Sequence, residues 1–506
     1  MCGTRARGRD RTPKLPAHSH QLLAPLLADC TDPQRKLQLF SAYHKATIRS
    51  DARREQRQTR DEGLPGNQTD TQQENQRQNQ RRDGIIATTD AEIDEEVAFL
   101  LSQSAGGSPL TLDAVNALMQ RKEHEHQIEM KYNVNLTNDV QQGHRKSPFR
   151  PFTERATWSD AELSLLDAGL GRLPVEHVRN NPGLSQIRRS KLDRDWDGEK
   201  KEWVDDTRSG GFADATDHSI HITDLGANGE PWRTPKMSDL ARHRAGGSDG
   251  QQHLSLMEEV IGHEIGHNVH QQNPALFQKF ESVTGWEHLG LSVLLERLMA
   301  AAPAGGGLSA AEANAEVDQL ESHRQSHYPS RPSIRIAGMD YKIDPYTRDY
   351  LAVGPGAIST GRDWDYGRSN PQDHFAEYYT KAIHAPESLY RDLKEEPAAK
   401  LATARSQLAA LKRRGEEVPA EQLATAEDTV MQAERDEKSR RWQWNLLHEQ
   451  VFHLGQGDVD AKVAAFTARL PPDKMALSGV FRQRAAMCMT PQQLQNLEAE
   501  FHAQLR

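Results

Sequence analysis

Cysteine is scarce in this sequence. The chain of 506 residues has three cysteines, Cys2, Cys30 and Cys488, and they are too far apart to form a Cys-x-x-Cys pair. This spacing argues against a disulfide framework and against a cysteine-rich zinc knuckle. It is the usage expected in a reducing compartment.

Long hydrophobic runs are also missing. No segment approaches the roughly 18 consecutive apolar residues that a transmembrane helix needs, so we expect no membrane span. The N-terminus has early arginines but lacks the apolar core of a signal peptide, so we expect no Sec signal peptide. Hydrophobic residues make up 36% of the chain and the mean hydropathy is −0.80. These low values predict that part of the chain is disordered or forms solvated helices.

The chain also lacks a strong net charge of either sign. The formal net charge is −10, which is small for a chain of this length. A dedicated nucleic-acid binder would normally show a basic domain. We therefore expect no nucleic acid among the partners.

Composition along the chain predicts four regions. The run at 67–84 is rich in Gln, Asn and Arg and has almost no apolar residue to bury, so it cannot offset the entropy of folding. After about Phe152, helix and strand patterns become regular. The regions are a mostly disordered polar tail at 1–87, a helical preamble at 88–150, an ordered domain at 151–391 with an insertion around 300–340, and a helical C-terminal region at 392–506.

The segment "EVIGHEIGHNVHQQNP" contains His263, Glu264 and His267 in the arrangement H-E-x-x-H. On a helix, two histidines four residues apart lie on one face and can bind one zinc ion, with the glutamate beside it as a base. Ser255 followed by Glu258 is a capping-box pattern, which predicts that a helix begins here. The alternative is a surface helix with chance histidines, since the chain has 22 of them.

Two glycines interrupt this predicted helix. Gly262 and Gly266 each cost about 1 kcal/mol of helix propensity relative to alanine. Glycine in such a place needs a physical reason, and the close approach of another backbone beside the ligands is one.

A third metal ligand is predicted downstream. Asn370 is a good N-cap, Pro371 suits the first helical position, and Asp373 and Glu377 are four residues apart on one face. One carboxylate can bind the metal while the other accepts a proton from a ligating imidazole. The alternative for Asp373 is a purely structural capping interaction with Asn370.

These two motifs together resemble the catalytic domain of anthrax toxin lethal factor and related zincin peptidases. The segment from Tyr366 to Glu377 reads Y-G-R-S-N-P-Q-D-H-F-A-E. The resemblance implies an α+β fold whose zincin-like catalytic domain, residues 151–391, has a small mixed sheet with an edge strand over the H-E-x-x-H helix. Helical N- and C-terminal regions flank this domain. It implies one Zn²⁺ ion as the cofactor.

The resemblance also implies the role of each site residue. His263 and His267 are zinc ligands, Asp373 is the third, Glu264 is the base, and Tyr366 donates a hydrogen bond to the oxyanion. The edge strand that pairs with an extended substrate is formed by Ser219, Ile220, His221 and Ile222.

The third ligand departs from the family pattern. Asp373 stands where the family usually has Glu, which is one methylene longer. Either the helix comes closer, or Glu377 takes the place of Asp373 as the ligand. The remaining histidines near the motifs are interpreted as surface or packing residues: His253, His270, His288, His374 and His384.

The sequence thus predicts a zinc-dependent endopeptidase that acts on a protein or peptide substrate. By analogy it is a bacterial toxin or effector, exported by a specialised system that engages a delivery apparatus or chaperone through the N-terminal tail or C-terminal helices. It would then act in a target cell, and otherwise in the cytoplasm. The alternative is an inactive zincin-fold scaffold protein that works through its C-terminal helices.

Overall fold

A computed structural model shows how these motifs are arranged. The described residues are 19–61, 86, 89–104, 109–138, 156–179, 181–191, 193–197, 202–206, 209–214, 218–227, 255–300, 308–322, 333–336, 339–344, 349–353, 370–415 and 418–505. They group into two compact units. The first is drawn from Met1–Asn138, Thr157–Leu163 and Ser185–Arg189, and the second from the rest of the chain.

The first unit is mainly helical. Its helices are Ser19–Ala28, Pro33–Asp61, residues 89–104 and Leu112–Tyr132. Two short strands, β1 (Asn135–Asn138) and β2 (Gln186–Arg189), pair in parallel. Six buried residues form its apolar core: Leu27, Leu37, Phe40, Ile93, Val115 and Leu118.

Residues 19–61 of the tail predicted to be mostly disordered contain two helices. Leu37 and Phe40 lie three residues apart, and a helix brings both into the core of the first unit. Burying them stabilises a segment whose average composition is polar. The Gln- and Asn-rich run at 67–84 lies outside the described residues.

The first unit also buries a cluster of charged side chains. The ammonium of Lys122, which is 0% exposed, lies 2.6 Å from Glu125 Oε2 and 2.9 Å from Glu96 Oε1. Glu92 is 3.8 Å from the same ammonium, and its Oε1 accepts a hydrogen bond from the backbone of Asn138. Burial raises the pKa of Glu92 to about 7 because the desolvated carboxylate is disfavoured.

The second unit contains three strand groups. The hairpin strands β3 (Asp193–Asp197) and β4 (Glu202–Asp206) are antiparallel, as are β5 (Gly211–Asp214) and β6 (Ser219–Ile222). A further antiparallel sheet has the order β7-β10-β9-β8. Its strands are β7 (Glu287–Leu289), β8 (Ile334–Ile336), β9 (Met339–Ile343) and β10 (Tyr350–Ala352).

The last of these sheets shares a core with two helices, Leu291–Ala300 and Ala310–Ser322. The predicted insertion around 300–340 therefore contributes a helix and strand β8 to an ordered module.

The shorter helices of the chain are Asp160–Leu170, Val175–Val178, Asp224–Ala227, Pro274–Thr284 and Pro386–Tyr390.

Two helices of the second unit carry the predicted site. We call Leu256–Gln272 the motif helix and Pro371–His384 the carboxylate helix. A Cβ atom added to Gly266 would lie 2.9 Å from the Cα of Ala376 and 3.2 Å from the Cβ of Tyr379. No side chain fits there, so the glycine lets the two helices approach closely. This confirms the reason predicted for Gly266, whereas Gly262 faces the side chains of Thr380 and His384.

The C-terminal region is helical, as predicted. Glu396–Arg414 and Ala420–Asn445 form a helical pair, flanked by π-helical turns at Arg391–Glu395 and Leu446–Val451. A final bundle contains Gln456–Ala468, Pro472–Lys474, Ala476–Ala485 and Pro491–Leu505, packed around Phe466, Phe481 and Phe501.

The fold class is α+β, as predicted. Within the described residues, none of the helices combines the length and the apolar composition that crossing a bilayer requires.

The close helix contact predicts opposite effects for two glycine substitutions. Gly266→Ala places a methyl group against the Ala376 backbone, and we expect a net destabilisation of about 1–3 kcal/mol from overpacking. Gly479→Ala is the control, because it is also helical but has no atom within 4 Å of the added Cβ. It should stabilise its helix by up to about 1 kcal/mol. Urea unfolding of both variants measures the difference, and equal shifts would contradict the close contact.

The raised pKa of Glu92 predicts a pH-dependent stability. The folded state holds a proton on this carboxyl up to about pH 7, whereas the unfolded chain releases it near pH 4.5. Its contribution to stability is therefore present below about pH 4.5 and is lost as the pH rises through about 7.

Comparison with Glu92→Gln isolates this effect. The free energy of unfolding of the wild type, relative to that of Glu92→Gln, should fall by up to about 3 kcal/mol between about pH 5 and pH 8. Urea unfolding followed by far-ultraviolet circular dichroism measures it. Glu123→Gln, at an exposed position of the helix Leu112–Tyr132 that carries Lys122, is the matched control. A relative stability that stays constant with pH would refute the assignment.

Candidate metal centre

The motif helix starts where the sequence predicts. The Ser255 N–H donates to Glu258 Oε2 at 2.8 Å, and the Glu258 N–H donates to Ser255 Oγ at 3.2 Å, which is a complete capping box. This start fixes the rotation of the helix. His263 and His267 consequently share one face, and both are buried.

An asparagine pair anchors the same helix from the side. Asn181 Nδ2 donates to Asn268 Oδ1 at 2.6 Å, and Asn268 Nδ2 donates to the carbonyl of Gly183. Asn268 directly follows His267, so these bonds restrain the backbone that carries the second histidine.

The carboxylate helix starts with a two-sided clamp on Asp373. Asn370 Oδ1 accepts from the Asp373 N–H at 2.7 Å, and Asn370 Nδ2 donates to Asp373 Oδ2 at 2.6 Å. The capping role and the metal role of Asp373 are thus compatible. Oδ2 is occupied by the cap, whereas the buried Oδ1 has no hydrogen-bond partner in the described part of the chain.

Three donor atoms converge between the two helices. His263 Nε2 and His267 Nε2 are 3.0 Å apart, and Asp373 Oδ1 lies 3.3 Å from His267 Nε2 and 3.9 Å from His263 Nε2. Ligands held at about 2.0–2.1 Å around a tetrahedral zinc ion lie about 3.3 Å from one another. The three residues could therefore hold zinc. Within the described residues, this is the only cluster of three or more His, Cys, Asp or Glu side chains whose ligand atoms are close enough to share a metal ion.

Glu377 lies on the other side of the first histidine. Its Oε1 is 3.3 Å from Nδ1 of His263, which is the ring nitrogen that does not face Asp373. A carboxylate in this place accepts the imidazole N–H and fixes the ring orientation. The geometry therefore favours Asp373 as the third ligand and Glu377 as the orienting partner of His263.

The site is rich in negative charge. Burial on its own lowers the pKa of His263, but the hydrogen bond with Glu377 and the neighbouring carboxylate charges outweigh it and raise the pKa. Glu264, Asp373 and Glu377 are all buried there. Confining three carboxylates away from water is unfavourable unless a cation accompanies them. The electrostatics thus suit a divalent metal.

Glu264 lies under strand β5. A Cβ atom added to Gly211 would be 3.5 Å from Cγ of Glu264, 2.6 Å from Cγ1 of Val260 and 2.6 Å from the carbonyl of His221. Strand β5 can therefore pass over this part of the motif helix only with glycine at position 211. Glu264 does not supply one of the three donor atoms.

Strand β6 forms at Ser219–Ile222 as predicted, but it is hydrogen-bonded on both sides at its carboxyl end. The Thr223 N–H donates to Gly210, next to β5, while the carbonyl of Ile222 accepts from Ser190. Successive residues of a strand point their hydrogen bonds to opposite sides. The predicted substrate strand, formed by Ser219, Ile220, His221 and Ile222, is therefore already hydrogen-bonded on both sides at this end and cannot pair with a substrate there. The strand that runs over Glu264 is β5.

Two further residues singled out in the sequence are Tyr366 and His270. Tyr366, the predicted oxyanion donor, lies outside the described residues. His270, interpreted as a surface or packing residue, is buried with Nε2 at 3.2 Å from Nδ1 of His267. Its position three residues after His267 was the sequence signal for this contact, because residues three apart share a helix face.

The geometry predicts unequal effects for the two carboxylates. Glu377→Ala should weaken zinc binding by about 10- to 100-fold, as the loss of an orienting partner does. Asp373→Ala should weaken it more, because a donor atom to the metal is lost. Competition with a chelator of known affinity measures both constants. A reversed order would indicate that Glu377 is the ligand, and equal losses would contradict the assignment of different roles to the two carboxylates.

Comparison of the chain with protein-family models, with curated proteins and with solved structures gave no match. The resemblance to the lethal factor catalytic domain therefore rests on the motif residues.

Proposed function

We propose that this protein is a zinc-dependent endopeptidase with a zincin-like catalytic domain. The observation that carries the proposal is the spacing of His263 Nε2, His267 Nε2 and Asp373 Oδ1, with Glu264 on the same helix. These residue types are the donors that zinc prefers, and three protein ligands with an open position are the mark of a catalytic zinc site. When bound, zinc supplies a Lewis acid that lowers the pKa of a coordinated water.

The chain's own residues would perform the proton transfers. Glu264 is buried, acidic and adjacent to the first ligand, so it can take the proton of the attacking water. The same carboxyl then gives the proton to the leaving amine. Tyr366 is proposed to stabilise the oxyanion, on the strength of the sequence motif alone.

Strand β5 is the proposed docking strand for the substrate. Within the described residues β5 pairs with β6 on one side, and an extended peptide can add to the other side by backbone hydrogen bonds. Such a peptide would run beside Glu264. The substrate class is therefore an extended segment of a protein or peptide.

The buried carboxylates argue against the alternative of an inactive scaffold. A scaffold has no need to place an unsatisfied Asp373 Oδ1 among two imidazoles and two further buried carboxylates, because that arrangement destabilises the fold without a cation. The role as a bacterial toxin or effector, delivered to a target cell by a specialised system, belongs to the same proposal and rests on the resemblance.

Substitution of Glu264 tests the function. Glu264→Gln keeps the volume of the side chain but cannot accept the proton. We expect it to retain zinc and to lose at least about a hundredfold in peptide-bond cleavage. Zinc content is measured by elemental mass spectrometry, and cleavage by the new amino termini formed in a proteome-derived peptide library.

Glu281→Gln provides the control, since Glu281, on the helix Pro274–Thr284, pairs with His288 of strand β7 and not with the site. It should keep both zinc and cleavage. A folded wild-type protein that binds no zinc would overturn the proposed function, and undiminished cleavage by Glu264→Gln would overturn the role of Glu264.

A further inference from the structure

We propose that His270 is a positioning residue that holds the imidazole of His267 in the orientation needed for zinc. The inference rests on the proposed function. It extends the centre beyond the residues of the motif, because His270 belongs to neither H-E-x-x-H nor the segment from Tyr366 to Glu377.

A ligating imidazole needs a partner for its second nitrogen. One ring nitrogen binds the metal, and the other carries the proton, so the hydrogen bond it makes sets the tautomer and the ring orientation. For His263 this partner is Glu377, 3.3 Å from Nδ1. For His267, the atom that faces Nδ1 is Nε2 of His270, at 3.2 Å.

The ring of His270 is itself held in place by two phenylalanines. It stacks on Phe277, with ring centroids 4.6 Å apart and an interplanar angle of 28°. It meets Phe375 edge-on, with centroids 5.9 Å apart. Phe277 belongs to the helix that follows the motif helix, and Phe375 belongs to the carboxylate helix two residues after Asp373. The orientation of His270 is therefore tied to the helix that supplies the third ligand.

The chemistry of this contact specifies two tautomers. His267 points Nε2 at Asp373 and His263, so when zinc occupies that nitrogen the proton of the ring must be on Nδ1. A neutral imidazole has one lone-pair nitrogen. Nε2 of His270 must then be that acceptor, with its own proton on Nδ1. A side chain that only filled space between the phenylalanines would not need a lone pair here.

Two substitutions separate positioning from packing. His270→Phe keeps an aromatic ring between Phe277 and Phe375 but cannot accept the hydrogen bond. His270→Gln loses the aromatic ring but offers a carbonyl oxygen. If His270 positions His267, zinc affinity should fall by about 10- to 100-fold in His270→Phe. It should be restored in part in His270→Gln.

The matched control is His177→Phe. His177 is another buried histidine. Its Nδ1 lies 2.8 Å from the Tyr379 hydroxyl, its ring also makes a hydrogen bond with the backbone of Val451, and it lies against the ring of Phe452. Its substitution removes a comparable interaction outside the centre. Zinc affinity in this variant should equal that of the wild type.

Zinc dissociation constants by chelator competition, and the visible spectra of the cobalt-substituted proteins, give readouts that do not depend on catalysis. The spectrum of His270→Phe should change relative to the wild type and to His177→Phe. Equal zinc affinity and equal spectra for His270→Phe and the wild type would overturn the inference.

A measurement on the wild type keeps the test independent of whether the variants fold. Nitrogen-15 spectra of histidine-labelled, zinc-loaded protein report the tautomer of each ring. We expect the proton of His267 on Nδ1, and a His267 that carries it on Nε2 would overturn the inference. A wild type that binds no zinc would instead defeat the proposed function, so the two failures are distinguishable.

Discussion

The centre depends on how closely two helices approach each other. Asp373 has a short side chain, and it reaches the two histidines because Gly266 brings the carboxylate helix against the motif helix. An added Cβ would lie 2.9 Å from the Cα of Ala376, so even alanine at position 266 would push the helices apart. The glycine costs about 1 kcal/mol of helix propensity, and the close approach that it permits makes the aspartate side chain long enough to reach the two histidines.

The carboxylate helix is also fixed at its two ends. Asn370 caps the start and holds Asp373, while Nε2 of Gln493 donates to the carbonyls of Ala382 and Ile383, at 3.0 Å each, near the end. Carbonyls in the last turn of a helix lack partners within the helix. Gln493 belongs to the final helix of the C-terminal region, so this region contributes directly to the placement of the helix that carries the centre.

Local rules explain what the sequence could predict. Ser255 and Asn370 mark helix starts because a cap depends on a few neighbouring residues, and Gly266 in a helix demanded a close neighbour. The neighbours of strand β6 could not be predicted, since sheet pairing joins residues that the pattern of one strand does not specify. The spacing of His267 and His270 indicated their contact, but the packing of His270 against Phe277 and Phe375 from other helices could not be predicted. The full extent of the helices in residues 19–61 could not be predicted, because the average composition of a long segment hides a few core residues.

The clamp that Asn370 places on Asp373 has a consequence for the choice of ion. With Oδ2 engaged by an amide, the carboxylate can offer a metal a single oxygen, so its coordination is monodentate. Calcium takes six to eight oxygen ligands and often uses both oxygens of a carboxylate. A set of two imidazole nitrogens and one oxygen falls far short of that requirement. In the proposed centre, the capping hydrogen bond, which any helix could use for its stability, would therefore also limit which metal ions can bind.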